Sequence, residues 1–295
     1  MNNLSPIPFY STLAEQSFRK WYANGELYKN PVDDEVLSPF FLVHPNTSAT
    51  VSWVKVFRCC DEEALGRGDF SNAFAVDFNK TGGENPFGTI IANHLYSFVS
   101  GSQKIFYYTA IGAFVIGLPR GFYYIQIHFS DNTDRYSELF YVSPDLSTQR
   151  GIEVKWYDAD DLEYNGGVIP YGNHSHSDYY GNRLYLDSEV GMPEYTYTED
   201  GEERDGRFFP IKQISEKVYK FKCVIPEYVC DCLRTVGLSD VITITGRDGV
   251  VYNAEHFEID VNWLDGGYYA EVECTFETDT VVKKIAKNYG TINER

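Results

Sequence analysis

The sequence predicts a mainly β protein: an immunoglobulin-like antiparallel sandwich joined to a smaller strand-rich domain with one packed helix. Three observations predict this class. The 295 residues include 24 tyrosines and 20 phenylalanines, which favour pleated, half-buried surfaces. Residues 118–144 and 257–277 alternate apolar and polar side chains with a period of two. Strand-like runs also follow one another at short spacing without intervening helices.

The predicted sandwich domain covers residues 38–143. Two short β-rich runs, 39–45 and 50–59, are bounded by turn residues. In 118–144, polar residues at 130–134 are expected to close a hairpin. The side chains expected to point inward from its first strand are Tyr123, Ile125, Ile127 and Phe129.

The predicted second domain covers residues 213–295. A strand ends at Pro226, which is expected to open a helix that Gly237 ends. A strand at 241–245 and a hairpin at 257–277 follow. These elements predict a sheet with one helix laid on it.

Two segments lie outside the predicted domains, one before the first domain and one between the two. Residues 1–37 mix proline, asparagine and aromatic residues and are expected to form an N-terminal arm, which packs either on a neighbouring subunit or on the chain's own body. Residues 144–212 have few apolar runs and are expected to be an acidic linker or an insertion against one sheet. The part at 194–210 has the composition of a solvated connection.

The charge is unevenly distributed. The formal net charge is −18, and residues 153–205 hold fourteen acidic side chains against three basic ones. Such a surface repels phosphate, so specific nucleic-acid binding is not expected there. The first residues lack the pattern of a signal peptide, and the apolar window 110–119 is too short to span a bilayer. We expect no membrane partner and synthesis in the cytoplasm of the cell that makes the protein.

The six cysteines favour packing over chemistry. Cys59 and Cys60 are adjacent, Cys230 and Cys232 are one residue apart, and no CxxC occurs. Such pairs are poor disulfide partners, and a zinc site usually needs CxxC knuckles. We expect free, mostly buried thiols.

Two stretches of the sequence raise the question of a metal-binding site. His174, His176 and Asp178 alternate, as ligands on one face of a strand would, but their flanks are loop-like and no second histidine pair exists. A solvated loop is favoured there. The stretch 158–163 is rich in carboxylates, but Glu163 and Ile169 stand where a calcium-binding EF-hand loop needs glycine and glutamate. We assign no catalytic, cofactor-binding or metal residue.

Three blocks carry a family resemblance. Residues 121–140 match a "GxYYxxI…D…YSExF" hairpin, and 182–234 and 272–285 are similar to the same group. The chain resembles uncharacterised proteins of bacteriophages of gut Bacteroidota, including crAss-like phages. The blocks cover roughly the C-terminal two thirds of the chain.

The resemblance implies a non-enzymatic virion protein of the tail or of the ring-shaped neck between portal and tail. It implies a homo-oligomeric ring in contact with other tail, neck or portal proteins, with DNA passing nearby. It implies no cofactor and no catalytic residue.

Two alternatives come from other functional classes. The sandwich pattern and the many aromatic residues also suit a carbohydrate- or surface-binding module. A metal-dependent hydrolase centred on His174, His176 and Asp178 is the third hypothesis.

Overall fold

The structure is a computed structural model. It describes residues 4–15, 28, 30–33, 37–59, 74–75, 86–108, 118–143, 151–157, 181–264, 268–278 and 282–285. The described strands form three sheets, called here the front, middle and back sheets, and the helices are short. The mainly β class is therefore confirmed, with a sandwich and a strand-rich part that carries a helix.

The front sheet has seven strands and is centred on β8 (Gly121–Phe129). One edge of β8 pairs with β4 (Val51–Cys59), and the other pairs with β9 (Asp134–Ser137) and β10 (Phe140–Ser143). Three short strands complete it: β1 (Phe9–Tyr10), β2 (Pro31–Asp33) and β5 (Phe74–Ala75). The hairpin between β8 and β9 is as predicted. The four residues of β8 expected to point inward, Tyr123, Ile125, Ile127 and Phe129, are all buried.

The middle sheet has three strands. They are β3 (Phe40–His44), β6 (Leu95–Ser100) and β7 (Gln103–Tyr108), in the order β3-β7-β6. Helix α1 (Pro86–Asn93) leads into β6 and lies against β4. Gly88 permits that approach, because a Cβ at this position would lie 2.0 Å from the Val54 carbonyl oxygen.

Both faces of the middle sheet are buried. One face contributes Phe40, Leu42, Phe106 and Tyr108 to the core shared with the front sheet. The opposite face contributes Phe41, Ile105 and Tyr107 to the core shared with the back sheet. The three sheets therefore form consecutive layers with a hydrophobic core on each side of the middle one.

The back sheet has eight strands, and β18 pairs with β14 beside the main order β12-β11-β15-β16-β17-β14-β13. Every pairing in it is antiparallel. The strands are β11 (Ile152–Tyr157), β12 (Asn182–Leu186), β13 (Glu194–Arg204), β14 (Arg207–Pro226), β15 (Val241–Thr245), β16 (Val251–Trp263), β17 (Tyr269–Thr278) and β18 (Val282–Ile285).

Most of the described part of 144–212 forms strands of the back sheet, so the linker interpretation is wrong there. β11 buries Ile152, Val154 and Trp156, and its partner β12 buries Leu184 and Leu186. The expected solvated connection at 194–210 is also wrong, because it forms β13 and the start of β14. β14 runs through the domain boundary expected at 212/213.

Helix α2 (Glu227–Leu233) lies on the back sheet, as predicted for one packed helix. Pro226 stands at its N-cap rather than inside it, and Arg234 is its C-cap. Gly237 therefore does not end the helix; it lies in a following 3-10 turn. A Cβ on Gly237 would lie 2.6 Å from the Phe257 carbonyl oxygen, so glycine is needed for the close approach to β16.

The described part of the N-terminal arm packs on the chain's own body. Ile7 and Phe9 are buried in the core of the front and middle sheets, and Leu4 is buried in the core of the back sheet. The Asn30 side-chain amide donates to the Pro6 carbonyl and ties the two ends of the arm together.

A buried histidine joins two loops at one end of the front sheet. The Asn46 N–H donates to His44 Nδ1 at 3.1 Å, so Nε2 carries the proton and donates to Thr133 Oγ1 at 3.0 Å. Thr133 Oγ1 in turn donates to Asp131 Oδ1 at 2.7 Å. Burial lowers the pKa of His44 below its usual value, although Asp131 acts in the opposite direction.

This histidine makes stability depend on pH. Because its pKa is lowered in the folded state, the unfolded chain binds the proton first as the pH falls, near about pH 6.5. We expect the free energy of unfolding to be highest above that pH and to decrease toward about pH 5. Urea unfolding at a series of pH values measures this dependence. The pKa of Asp131 is also lowered, by its hydrogen bond from Thr133, but its contribution is lost only around about pH 4 and below.

A substitution at His44 tests this assignment. His44→Gln should flatten the pH dependence between about pH 7 and pH 5. An unchanged pH profile in the His44 variant would contradict the assignment.

Gly237→Ala tests the approach of the 3-10 turn to β16. The added Cβ would force the turn away from Phe257, so we expect a loss of roughly 1–3 kcal/mol in the free energy of unfolding. Gly249→Ala is the matched control, because no atom lies within 4 Å of its Cβ position and only its positive φ opposes the change. A smaller loss at Gly237 than at Gly249 would show that the clash is unimportant.

Candidate functional site

A long hairpin projects from the edge of the back sheet. β13 pairs with β14 from Glu194↔Val218 to Arg204↔Arg207. Only the second half of β14, from Val218 onward, also pairs with β17. The projecting hairpin, residues 194–217, is about 35 Å long at 3.3 Å per residue. β18 borders its inner part, opposite Lys212–Ser215.

The tip of the projecting hairpin is a two-residue turn. Asp205 and Gly206 have φ values of +51° and +72°, so both central residues are left-handed. This is the pattern of a type I′ turn, whose twist matches the two strands and which Asp-Gly favours. The Asp205-Gly206 pair was therefore a usable sequence signal for a hairpin in a segment expected to be a connection.

Both faces of the projecting hairpin are exposed. Successive side chains on a strand point to opposite faces, and every side chain from Glu194 to Asp200 is exposed. Neither face of this part of β13 is therefore buried. Tyr195 and Tyr197 are 69% and 62% exposed, and Met192 just before β13 is 90% exposed. A narrow ribbon without a buried face is marginally stable in water. Its exposed aromatic side chains make it a candidate binding surface.

Ion pairs hold the base of the projecting hairpin to the sheet. Lys220 Nζ lies 3.0 Å from a Glu194 carboxylate oxygen and 4.0 Å from Glu273. Lys222 Nζ lies 2.7 Å from Glu273, and this hydrogen bond holds the pKa of Glu273 below its usual value. The Gly191 N–H donates to the Lys220 carbonyl at 2.8 Å. The base is thus fixed, while the distal part extends into solvent.

The two edges of the projecting hairpin differ in charge. β13 has the sequence EYTYTEDGEER, with five acidic residues and one arginine. β18 has the sequence VKKI, with two lysines and no acidic residue. Within the described ranges, no strand borders the outer edge of either one.

The residues considered for a metal site lie outside the described residues. These are His174, His176 and Asp178, together with the carboxylate-rich stretch 158–163. In the part of the chain that the structure describes, no group of three or more histidine, cysteine or acidic side chains is placed to hold a metal ion. No described helix is long and apolar enough to cross a membrane.

The described cysteines are core residues, as predicted. Five are free and buried, namely Cys59, Cys223, Cys230, Cys232 and Cys274, and Cys60 lies outside the described residues. Burial raises the pKa of Cys223 and of Cys230 to about 12. These thiols are therefore protonated near neutral pH, and a protonated thiol is a poor nucleophile.

The turn at the tip can be tested with one substitution. Gly206→Val places a β-branched residue at φ +72°, which costs roughly 1–2 kcal/mol. We expect amide hydrogen exchange in residues 194–217 to accelerate about five- to thirtyfold while exchange in β17 stays unchanged. Gly206→Asn is the matched control, because asparagine tolerates the left-handed region. Equal exchange in all three proteins would show that the turn does not stabilise the hairpin.

Comparisons with protein-family models, with curated proteins and with solved structures found no significant match. Function is therefore inferred from the projecting hairpin and from the resemblance seen in the sequence.

Proposed function

We propose that this chain is a non-enzymatic structural protein of a bacteriophage virion, a tail or neck ring component that assembles through repeated subunit interfaces. The observation that carries the proposal is the projecting hairpin, which exposes both faces and two tyrosines while its base is fixed to a well-packed body. Ring and tail proteins work through repeated contacts between identical subunits. An exposed ribbon on a fixed base is suited to such a contact.

The rest of the described chain is consistent with a structural role. Two hydrophobic cores on either side of the middle sheet make a rigid body. The described thiols are buried, and burial raises the pKa of Cys223, Cys230, Cys232 and Cys274, so these side chains contribute packing. The proposed partners are further copies of the chain and other tail, neck or portal proteins, and the proposed location is the virion.

The acidic surface suits a position near the path of the genome. Residues 153–205 carry a net charge of −11, from fourteen acidic and three basic side chains. A channel lined by such a surface would repel DNA and keep it from sticking. Imaging of the assembly should then show described parts of this segment, such as β13, facing the channel. Their location on the outer surface would remove this part of the proposal.

The tyrosine face provides the first test of assembly. In Tyr195→Ser/Tyr197→Ser, we expect self-association measured by sedimentation velocity to weaken about tenfold or more, because exposed aromatic residues dominate interfaces. The melting temperature should stay nearly unchanged, since neither side chain is buried. Val99→Ser is the control, because Val99 is 56% exposed on β6 of the middle sheet, which is not part of the hairpin.

Single-particle imaging of the phage gives the second test. The proposal expects density for this fold at several symmetry-related positions in the tail or neck. A chain that remains monomeric at all concentrations and is missing from purified particles would overturn it.

One observation favours the carbohydrate-binding module as a second candidate. Tyr195 and Tyr197 lie on one face of β13, about 7 Å apart, with both rings accessible. Rings in this arrangement offer a stacking surface. Binding of oligosaccharides that the double tyrosine variant loses, in a protein that does not self-associate, would favour this candidate.

A further inference from the structure

The edges of the projecting hairpin differ in a way that selects one partner. β13 forms one edge along its whole length, and β18 forms the inner part of the other edge, opposite Lys212–Ser215 of β14. Unpaired strand edges readily accept a further strand, and proteins protect them with charges. Here the two edge strands have opposite net charge: β13 contains five acidic residues and one arginine, and β18 contains two lysines.

We propose that β13 of one copy pairs with β18 of the next copy, so that the projecting hairpins join into one continuous sheet around the ring. This inference rests on the proposed function and names the interface that builds the assembly. The occupant of each edge is a second copy of this chain, held by main-chain hydrogen bonds as in other strand additions.

The charges exclude the alternative pairings. β13 against β13 would place two acidic strands side by side, and β18 against β18 would place lysines side by side. Like charges opposite each other are destabilising, whereas β13 against β18 brings opposite charges together. The interface is therefore head-to-tail, and a head-to-tail contact generates closed rings when the rotation closes.

The strand directions determine the geometry of this contact. β13 and β18 are both antiparallel to β14, so they run parallel to each other. Copies related by rotation about an axis near the strand direction keep that direction. The new pairing is therefore parallel, with three strands contributed by each copy.

The strand registers show which residues lie level with one another across β13, β14 and β18. Thr198 pairs with Ile214, which pairs with Lys283, so these residues share one level and one face. Within one chain the Cα atoms of Thr198 and Lys283 are two strand spacings apart, about 10 Å. That exceeds the reach of a disulfide, so a bond between cysteines at these positions has to join two copies.

Disulfide cross-linking tests the interface in the full-length protein. Chains with cysteine in β13 (Thr196→Cys, Thr198→Cys or Asp200→Cys, to allow for strand tilt) are mixed with chains carrying Lys283→Cys and oxidised. We expect cross-linked dimers only in the mixture for at least one β13 position. A chain carrying both substitutions should give a ladder of covalent multimers. Dimers from β13 variants alone, or no cross-link at any position, would overturn the proposal.

Charge reversal provides a matched control. Asp200→Lys/Glu203→Lys should weaken self-association about tenfold, and so should Lys283→Glu, because each places like charges across the interface. A chain with all three changes has the charges at these positions exchanged between the two edges and should regain association. Failure of the combined variant to recover, although circular dichroism shows it folded, would contradict charge selection.

The outcomes separate this interface from the virion role. Rings in phage particles without any β13–β18 cross-link would leave the proposed function standing and overturn the interface. Cross-linked multimers of a chain that is missing from particles would support the interface and overturn the virion role.

Discussion

Burial of the middle sheet on both faces is the constraint on which the rest of the fold depends. Its three short strands have to supply apolar side chains in both directions, so β7 is buried without a break from Ile105 to Tyr108. A strand of this kind reads as a continuous apolar run instead of an alternation. The inner faces of the front and back sheets complete these two cores, and the outer face of the front sheet carries a further buried cluster that includes Phe122 and Tyr124.

This layering explains how the parts of the body hold together. Tyr107 contributes to the core of the back sheet, while its neighbours Phe106 and Tyr108 belong to the core of the front sheet. The N-terminal segment reaches both cores, through Leu4 on one side and Ile7 on the other. Buried contacts of this kind are packed at the density of a solid, so displacement of one layer is felt by the others.

The projecting hairpin departs from this arrangement. β14 has 20 residues, and only its second half lies against β17 in the body of the sheet. Its first half, with β13, gains backbone hydrogen bonds but buries no face. In the proposed assembly a second copy covers this ribbon, and the opposite charges of its two edges favour that partner. The body would then supply rigidity and the hairpin would supply contact.

The sequence by itself determined the elements whose signal is local. Period-two alternation predicted β8 with β9 and β16 with β17, and an apolar face at helical spacing predicted α2. The projecting hairpin was missed because its polar and charged composition is that of a solvated connection, although Asp205-Gly206 marked its turn. Only the tertiary structure decided that Gly237 lies against Phe257 and that β11 and β12 join the back sheet. It also decided that both faces of the middle sheet are buried. These features depend on which distant segments meet, and no local pattern of side chains encodes that choice.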